Sequence, residues 1–411
     1  MKLRHLLMWA HGVALCLALV EPATAGGFLA GLLDMQDSSP HAKPYAVLDE
    51  NFYPTSVVWS PDGKFIADGG THSRSIHIWD VAARKIVKSF DLKDYGVNPD
   101  PTFSNMAWSP DGDYLAVSVG RNKQMFVWDT RTWAIAKIFQ EDTFGGSGSP
   151  TFSQDGKLLA MGRYGKDSLG NYTTHIVKVY STADWHLVSM TDFSDTDPHG
   201  QGWGFSIDRV AFQPGTHNLA IGASGGFGFP PGMPIPMRNA NGAFVTNVPT
   251  SSRVIFWNVD GRAPDLLVSD LDQSIVAYKN ETEMQALVFS PNGRQLATGT
   301  YTGGGRPPHQ LTDSVHIYDS RSHALLAAPL DGMDHGGWTD AMGYIDDGKY
   351  LLVGHEDKSG AIDIINTRTF KVAEILNANG FVASLAIDPI RSRFVVTSDR
   401  SLMIWDFVDK P

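Results

Sequence analysis

Residues 45–408 consist of short runs in which apolar and polar residues alternate, separated by turn residues. In the first unit, such runs occupy 56–59, 65–67, 76–79 and 86–90. Alternation of this kind is typical of strands with one buried face. A Pro-Asp-Gly turn follows the first run, and it suits a tight hairpin because proline fixes φ and glycine tolerates positive φ. The unit is therefore predicted to be a four-stranded antiparallel sheet, whose strands are named a to d in chain order.

The same unit recurs along the chain. The Ser-Pro-Asp-Gly turns at 60–63 and 109–112 are followed, about 15 to 25 residues later, by Trp79-Asp80 and Trp128-Asp129. Weaker copies of the turn occur at 154–156, 213–215, 290–293 and 346–348, and a seventh unit ends at Trp405-Asp406. Such a repeat means that one small sheet has been copied many times.

The two ends of the repeat array complement each other. The seventh unit stops after strand c, and the apolar segment 45–48 precedes the first unit. A missing outer strand would leave an exposed sheet edge, which the spare strand can cover. The pattern predicts an all-β, seven-bladed β-propeller of four-stranded antiparallel blades, with the ring closed by an N-terminal strand.

The chain resembles the WD-repeat β-propeller family over about residues 45–408. The resemblance is carried by Trp79-Asp80, Trp128-Asp129 and Trp405-Asp406, with degraded copies at Trp257-Asn258, Tyr318-Asp319 and Ile365-Asn366. The family's Gly-His pair before strand a is largely absent. The Ser-Pro-Asp-Gly turns are more distantly similar to those of envelope propellers such as TolB and lactonase-like proteins. The resemblance implies the fold, whereas propellers host many unrelated functions.

The first 25 residues have the pattern of a signal peptide. Lys2 and Arg4 precede an apolar run at 6–20, and Ala-Thr-Ala at 23–25 offers small residues for cleavage. We expect a signal peptide at 1–25, a linker at 26–44 and the propeller at 45–408, and a periplasmic or secreted protein. The alternative is an uncleaved anchor helix.

The composition of the chain restricts the classes of partner that it can bind. The chain has 42% hydrophobic residues, a net charge of −11 and a single cysteine, Cys16, inside the predicted signal. A mature chain without cysteine is held together by its core alone. An acidic chain without a basic run lacks the electrostatic footprint for nucleic acid or anionic lipid. We expect a monomer that binds a protein partner, no cofactor, and no membrane insertion after signal removal.

Connection lengths favour one face for function. The a–b turns and the c–d turns are short, and long segments, such as 163–174, 223–251 and 269–283, occur only in b–c and d–a connections, which leave a propeller on one face. The insertion 223–251 is interrupted by Pro and Gly and is interpreted as either a channel plug or a binding flap. Aromatic, arginine and histidine side chains around a concave mouth suit a ligand or peptide. The binding residues predicted there are Asn105, His199, Trp203, Arg209, Phe227, Phe229, Gln285, Tyr301, His335, Trp338, Asp340 and His355. For Arg209 and Asp340, the alternative is pairing with backbone at blade corners.

Motifs for catalysis or metal binding are incomplete. Residues 222–226 fit G-x-S-x-G, but Phe-Gly-Phe-Pro-Pro follows where a helix is needed. The segment 195–200 begins like a calcium loop and has Ser206 where the bidentate glutamate belongs. His199, His335 and His355 show no metal-ligand spacing. We therefore predict no catalytic residues and no metal.

Three functions remain open from the sequence. The first is an exported binding or scaffolding module that uses its long-loop face. The second is a lactonase- or lyase-like enzyme with a site at the channel mouth. The third is a carbohydrate-binding propeller that stacks sugars on Trp203, Trp338, Tyr301 and Phe227.

Overall fold

A computed structural model describes most of the chain after residue 40. The described residues are 41–49, 53–71, 75–97, 102–120, 124–140, 149–166, 172–192, 206–224, 251–261, 275–279, 283–301, 314–330, 339, 341–356 and 359–408. Met1–His41 forms a unit separate from Ala42–Pro411, and the fold described below is that of the second unit.

The second unit is a ring of seven four-stranded antiparallel blades. In the first six blades the four strands pair in chain order. Blade 1 comprises β2 (Tyr53–Trp59), β3 (Phe65–Thr71), β4 (Ser75–Asp80) and β5 (Lys85–Asp91); blade 2, β6 (Thr102–Trp108), β7 (Tyr114–Gly120), β8 (Gln124–Asp129) and β9 (Ala134–Gln140); blade 3, β10 (Thr151–Phe152), β11 (Leu158–Lys166), β12 (Tyr172–Ser181) and β13 (Leu187–Asp192). Blade 4 comprises β14 (Ser206–Phe212), β15 (Asn218–Ser224), β16 (Ser251–Asn258) and β17 (Ile275–Lys279); blade 5, β18 (Glu283–Phe289), β19 (Gln295–Tyr301), β20 (Ser314–Asp319) and β21 (Leu325–Ala327); blade 6, β22 (Ala341–Ile345), β23 (Tyr350–Gly354), β24 (Ala361–Asn366) and β25 (Lys371–Asn377). A 3-10 helix, Leu92–Tyr95, follows blade 1.

Blade 7 closes the ring as the sequence predicts. It contains β26 (Leu385–Ile387), β27 (Arg393–Ser398) and β28 (Ser401–Phe407), and its outer strand is β1 (Ala42–Asp49) from the start of the propeller. β1 pairs with β28 from Ala42 opposite Phe407 to Asp49 opposite Ser401. The closing strand is thus longer than the predicted segment 45–48 and begins three residues earlier.

The core lies between the blades. Each sheet packs both faces against its neighbours, so strands b and c are buried; Ile78 of blade 1 and Val117 and Trp128 of blade 2 belong to one cluster and are all 0% exposed. Outer strands pack less completely, and Val87 and Ile375 are half exposed. A propeller of this kind derives its stability mainly from apolar contacts repeated around the ring.

Two predicted loops contain strands. In blade 3, most of 163–174 is a hairpin extension that pairs as far as Lys166 with Tyr172. In blade 4, the predicted inter-blade segment 269–283 contains β17, the outer strand. The connection between β16 and β17 therefore spans 259–274, so the expectation that long segments occur only in b–c and d–a connections is wrong for blade 4.

Candidate functional site

The ring has two chemically different ends. The a–b turns and c–d connections leave the strands at one end, called here the short-turn face. The b–c and d–a connections leave at the opposite end, called here the long-loop face. Blade 4 is the exception noted above, because its long c–d connection starts from the short-turn face.

At the long-loop end, four inner strands carry a bulge at the same point. The register shifts between Pro54 and Ser56 in β2, between Phe103 and Asn105 in β6, between Ile207 and Arg209 in β14, and between Met284 and Ala286 in β18. A bulge re-aims the side chains beside it and ends regular pairing. Three predicted binding residues, Asn105, Arg209 and Gln285, lie at or directly after these bulges.

Their side chains differ in access. Asn105 and Arg209 are half-buried, whereas Gln285 is 6% exposed. The Arg209 guanidinium donates to the carbonyl oxygen of Asp208 at 3.0 Å, a backbone bond of the kind that the alternative interpretation predicts. The Asp208 carboxylate in turn accepts from the backbone N–H of Met284 at 3.1 Å and so ties blade 4 to blade 5.

His355 does not lie on an exposed loop, which corrects the expectation for this residue. It directly follows β23, is 0% exposed, and its Nε2 lies 2.9 Å from Oδ2 of Asp363 in the same blade. The backbone N–H of His355 donates to the carbonyl oxygen of Ala361 at the start of β24, and its carbonyl oxygen accepts from the N–H of Val382. His355 therefore belongs to a buried polar pair inside the blade.

The other predicted binding residues lie outside the described structure and stay predictions. They are His199, Trp203, Phe227, Phe229, His335, Trp338 and Asp340; for Tyr301, at the end of β19, only the backbone is described. Within the described ranges, no three His, Cys, Asp or Glu side chains form a cluster able to hold a metal ion. No helix in that same part of the chain has the length and apolarity needed to cross a membrane.

The sequence comparisons agree with this architecture. A family model described as "WD domain, G-beta repeat" matches residues 43–80 and 98–129, which cover β1 with most of blade 1 and the first three strands of blade 2. These matched segments lie within the ring of seven four-stranded blades. The chain is a seven-bladed β-propeller that contains WD repeats.

Among curated proteins, the propeller is similar to Echinoderm microtubule-associated protein-like 3. The human and mouse proteins are each 28% identical to it over 127 residues, which is 30% of this chain. The match spans 14% of the length of either relative. WD-repeat propellers generally bind protein partners, and the partner of this one is not identified by the comparisons.

On the short-turn face of this WD-repeat propeller, the a–b turns share one hydrogen-bond pattern. In blade 2, Ser109 Oγ donates to Asp111 Oδ1 at 2.6 Å and accepts from the backbone N–H of Tyr114 at 2.8 Å. Serines 60, 153 and 290 make the same pair of bonds in blades 1, 3 and 5. The repeated Ser-x-Asp/Asn-Gly motif thus satisfies a buried backbone donor at each of these turns.

In blades 2 and 5, the acidic residue of the Trp-Asp-like pair caps the c–d turn. Asp129 accepts from the backbone N–H groups of Arg131 and Thr132, and Asp319 accepts from those of Arg321 and Ser322. These bonds, led by that of Ser322, hold the pKa of Asp319 below its usual value. The pair therefore has a structural reason in this chain, independent of any ligand.

Between blades 3 and 4, a histidine joins two carboxylates. His217 Nδ1 lies 2.8 Å from Asp260 Oδ1, and its Nε2 lies 3.3 Å from Asp155 Oδ2. The bond to Asp260, with that to Asp155, raises the pKa of His217. For Asp155, burial pushes the pKa up, but the bonds from Ser153, Lys157 and His217 outweigh it and hold the pKa well below its usual value. These residues line a cavity of about 380 Å³.

Two further clefts open on the short-turn face. The first, of about 540 Å³, lies between blades 1 and 2 and contains Trp108, Trp133 and the carboxylates of Asp62, Asp111 and Asp113. The second, called here the blade 4–5 cleft, has a volume of about 830 Å³ and contains Arg294, Arg321, His323, Asn258 and Asn292. Sequence analysis missed these clefts because it treated short turns as inert. The sequence signal for these clefts is the type of residue that follows the capping Asp or Asn in each c–d turn, and not the length of that turn.

Proposed function

We propose that this WD-repeat propeller is an exported protein-binding module that scaffolds its partner through the long-loop face. The observation that carries the proposal is the set of bulges at the long-loop ends of four inner strands, beside which the half-buried side chains of Asn105 and Arg209 lie. Polar side chains re-aimed by bulges around a ring opening suit recognition of a peptide or a loop.

The test removes the largest connection. Deleting residues 226–248 leaves all described strands intact, so we expect unchanged thermal unfolding and loss of partner binding. The assay is site-resolved cross-linking of the native protein, with the contact peptides mapped by mass spectrometry. The matched control is Arg368→Gln on the short-turn face, which is expected to retain the cross-links. Cross-links that survive the deletion, or that map to the short-turn face, contradict the proposal.

Export is proposed from the N-terminal pattern, since Lys2 and Arg4 precede the apolar run 6–20 and small residues follow it. The mature protein is expected to begin at Gly26 and to fractionate with the periplasm or the medium. N-terminal sequencing of protein purified from each fraction is the direct measurement. An intact N-terminus on protein that remains with the membrane fraction would support the anchor helix instead.

A further inference from the structure

We propose that the blade 4–5 cleft on the short-turn face binds an extended peptide segment that carries Asp or Glu side chains. This site lies at the opposite end of the ring from the site in the proposed function, and neither depends on the other. The cleft is formed by four chain segments: the a–b turn and the end of strand c of blade 4, and the a–b and c–d turns of blade 5.

The blade 4–5 cleft differs from the other two clefts in the sign of the charged side chains that line it. Arg294 and Arg321 are exposed, and neither guanidinium has an ion-pair or hydrogen-bond partner among the described residues. The one carboxylate in the lining, Asp319, accepts three hydrogen bonds from its own turn, two from backbone N–H groups and one from Ser322 Oγ. Two exposed arginines against one carboxylate, on a chain of net charge −11, mark a place where an anionic group is attracted.

The other two clefts have the opposite character. The cleft between blades 1 and 2 has three aspartates against one arginine, and Arg131 there lies 3.4 Å from Asp113 and 3.3 Å from Asp129. The cavity at His217 contains Asp155 and Asp260. Of these three clefts, the blade 4–5 cleft is thus the basic one.

Neutral donors add to the two arginines. The side-chain oxygens of Asn258 and Asn292 already accept backbone N–H groups, from Asp260 at 3.0 Å and from Arg294 at 2.9 Å. Each asparagine therefore has its amide NH₂ left to donate. Trp257, which also contributes to the lining, is 3% exposed and its Nε1–H has no partner in the described structure. This indole nitrogen is itself buried, and Trp59, Trp128 and Trp405 have the same unpartnered indole N–H among the described residues outside the cleft, so the asparagine amides are the neutral donors that a ligand can reach.

The shape favours a peptide over a free anion. Both arginines and Asn292 belong to turns of blade 5, whereas Asn258 ends strand c of blade 4, so a ligand that reaches all four donors extends across the cleft. Phe256 and His323 stack with ring centroids 4.0 Å apart and an interplanar angle of 7°, which gives one wall a flat surface for side chains between the acidic positions. Carboxylates paired with arginine and amide donors, with an aromatic wall beside them, are typical of peptide recognition.

The test uses a fluorescein-labelled peptide of alternating Glu and Ser, and the same peptide with Gln in place of Glu. Anisotropy titrations at low salt are expected to show binding of the Glu peptide and none of the Gln peptide. Arg294→Gln and Arg321→Gln are each expected to weaken binding by about five- to tenfold, as for loss of a charge-assisted hydrogen bond near the surface. Added salt should weaken binding further through screening.

The chain supplies matched controls. Arg131 and Arg368 occupy the position equivalent to Arg321 in the c–d turns of blades 2 and 6, so their Gln variants change the net charge identically. Both are expected to bind the Glu peptide as the native protein does. Equal losses in all four variants would overturn the proposal, because binding would then follow net charge alone. Displacement of the peptide by inorganic phosphate at an equal concentration would also overturn it, in favour of a small-anion site.

The 226–248 deletion is expected to bind the Glu peptide normally, which separates this test from that of the proposed function.

Discussion

Five c–d turns hold a residue other than glycine in the left-handed region at the same position. These residues are Arg84, Trp133, Trp185, His323 and Phe370, with φ between 51° and 62°. Their side chains are large and flat, and most contact the preceding blade. The ring centroids of Trp185 and Tyr114 are 5.0 Å apart, and the guanidinium carbon of Arg84 lies 5.0 Å from the ring centroid of Tyr45. The strained backbone is thus offset by packing that joins neighbouring blades.

The first prediction separates these two effects. Trp133→Gly relieves the strained φ but removes the contacts with Phe90 at 5.7 Å and Trp108 at 6.2 Å, so it is expected to lower the free energy of unfolding by about 1–2 kcal/mol. Asp347→Gly, at an exposed positive φ of 52° without such packing, is expected to raise it by up to about 1 kcal/mol. Urea unfolding of both variants is the measurement, and changes of the same sign would contradict the packing argument.

A second prediction concerns the serine of the a–b turn. Ser109 is 0% exposed and accepts the N–H of Tyr114, so Ser109→Ala leaves that donor without its partner. The expected loss of unfolding free energy is about 1–3 kcal/mol. Ser322→Ala, on an exposed turn, removes a hydroxyl that donates to Asp319 and accepts a long bond of 3.5 Å from the solvent-exposed N–H of Ala324, and it is expected to change stability by less than about 0.5 kcal/mol. Comparable losses in the two variants would show that the buried donor does not decide the effect.

At the scale of elements, adjacent blades are also joined by charge. His217 and Asp260 belong to turns of blade 4, while Asp155 belongs to the a–b turn of blade 3. Both ring nitrogens of His217 face a carboxylate, and an imidazole can donate to both only when it is protonated. The link between these two blades is therefore strongest with a protonated histidine and two ionised aspartates.

The third prediction follows from these pKa shifts. The pKa of His217 is raised in the folded state, so its stabilisation is complete below about pH 6.5, its unfolded value, and is lost as the pH rises through the folded value. The pKa of Asp155 is lowered, so its stabilisation is present above about pH 4 and is lost on acidification. Thermal unfolding at pH 6 and pH 9 is expected to show a smaller difference in His217→Gln than in the native protein. His186→Gln, whose histidine bonds Asp184 within its own turn, is the control and should retain the native difference.

The sequence predicts an element well when neighbouring residues determine it, and poorly when contacts between distant segments determine it. The a–b turns and the strands beside them follow from Ser-Pro-Asp-Gly and from alternation, and the structure confirms them. β17 was missed because Ile275–Lys279 is short and surrounded by polar residues, and only pairing with β16 reveals it. The burial of His355 is not visible locally, because it depends on the pair with Asp363 in the next strand and on the backbone bond from Val382, 27 residues further along the chain. The blade 4–5 cleft combines residues from 213 to 323, and no local pattern brings them together.

At the scale of the whole molecule, the ring depends on a strand from the far end of the chain. β1 covers the edge of β28, and Leu48 on β1 is 2% exposed in a cluster with Val57 and Ile404. Tyr45 adds a cation–π contact, with the Arg393 guanidinium 3.8 Å from its ring centroid. Ring closure therefore brings together residues that lie more than 350 positions apart in the chain. The stability of blade 7 depends on β1 for this reason.

The fourth prediction tests that dependence by comparing two truncations. Removal of residues 1–40 retains β1 and is expected to leave the Tm unchanged. Removal of residues 1–49 deletes β1, exposes the edge of β28 and uncovers the cluster that contains Leu48. An uncovered edge pairs with other chains, so the shorter protein is expected to have a lower Tm and to associate with rising concentration in light scattering. The single substitution Leu48→Ala keeps the edge covered and is expected to cost about 2–5 kcal/mol without association. An unchanged Tm after removal of 1–49 would mean that the ring is stable while open. Association of the Leu48→Ala variant would mean that lost packing, and not the exposed edge of β28, causes the association.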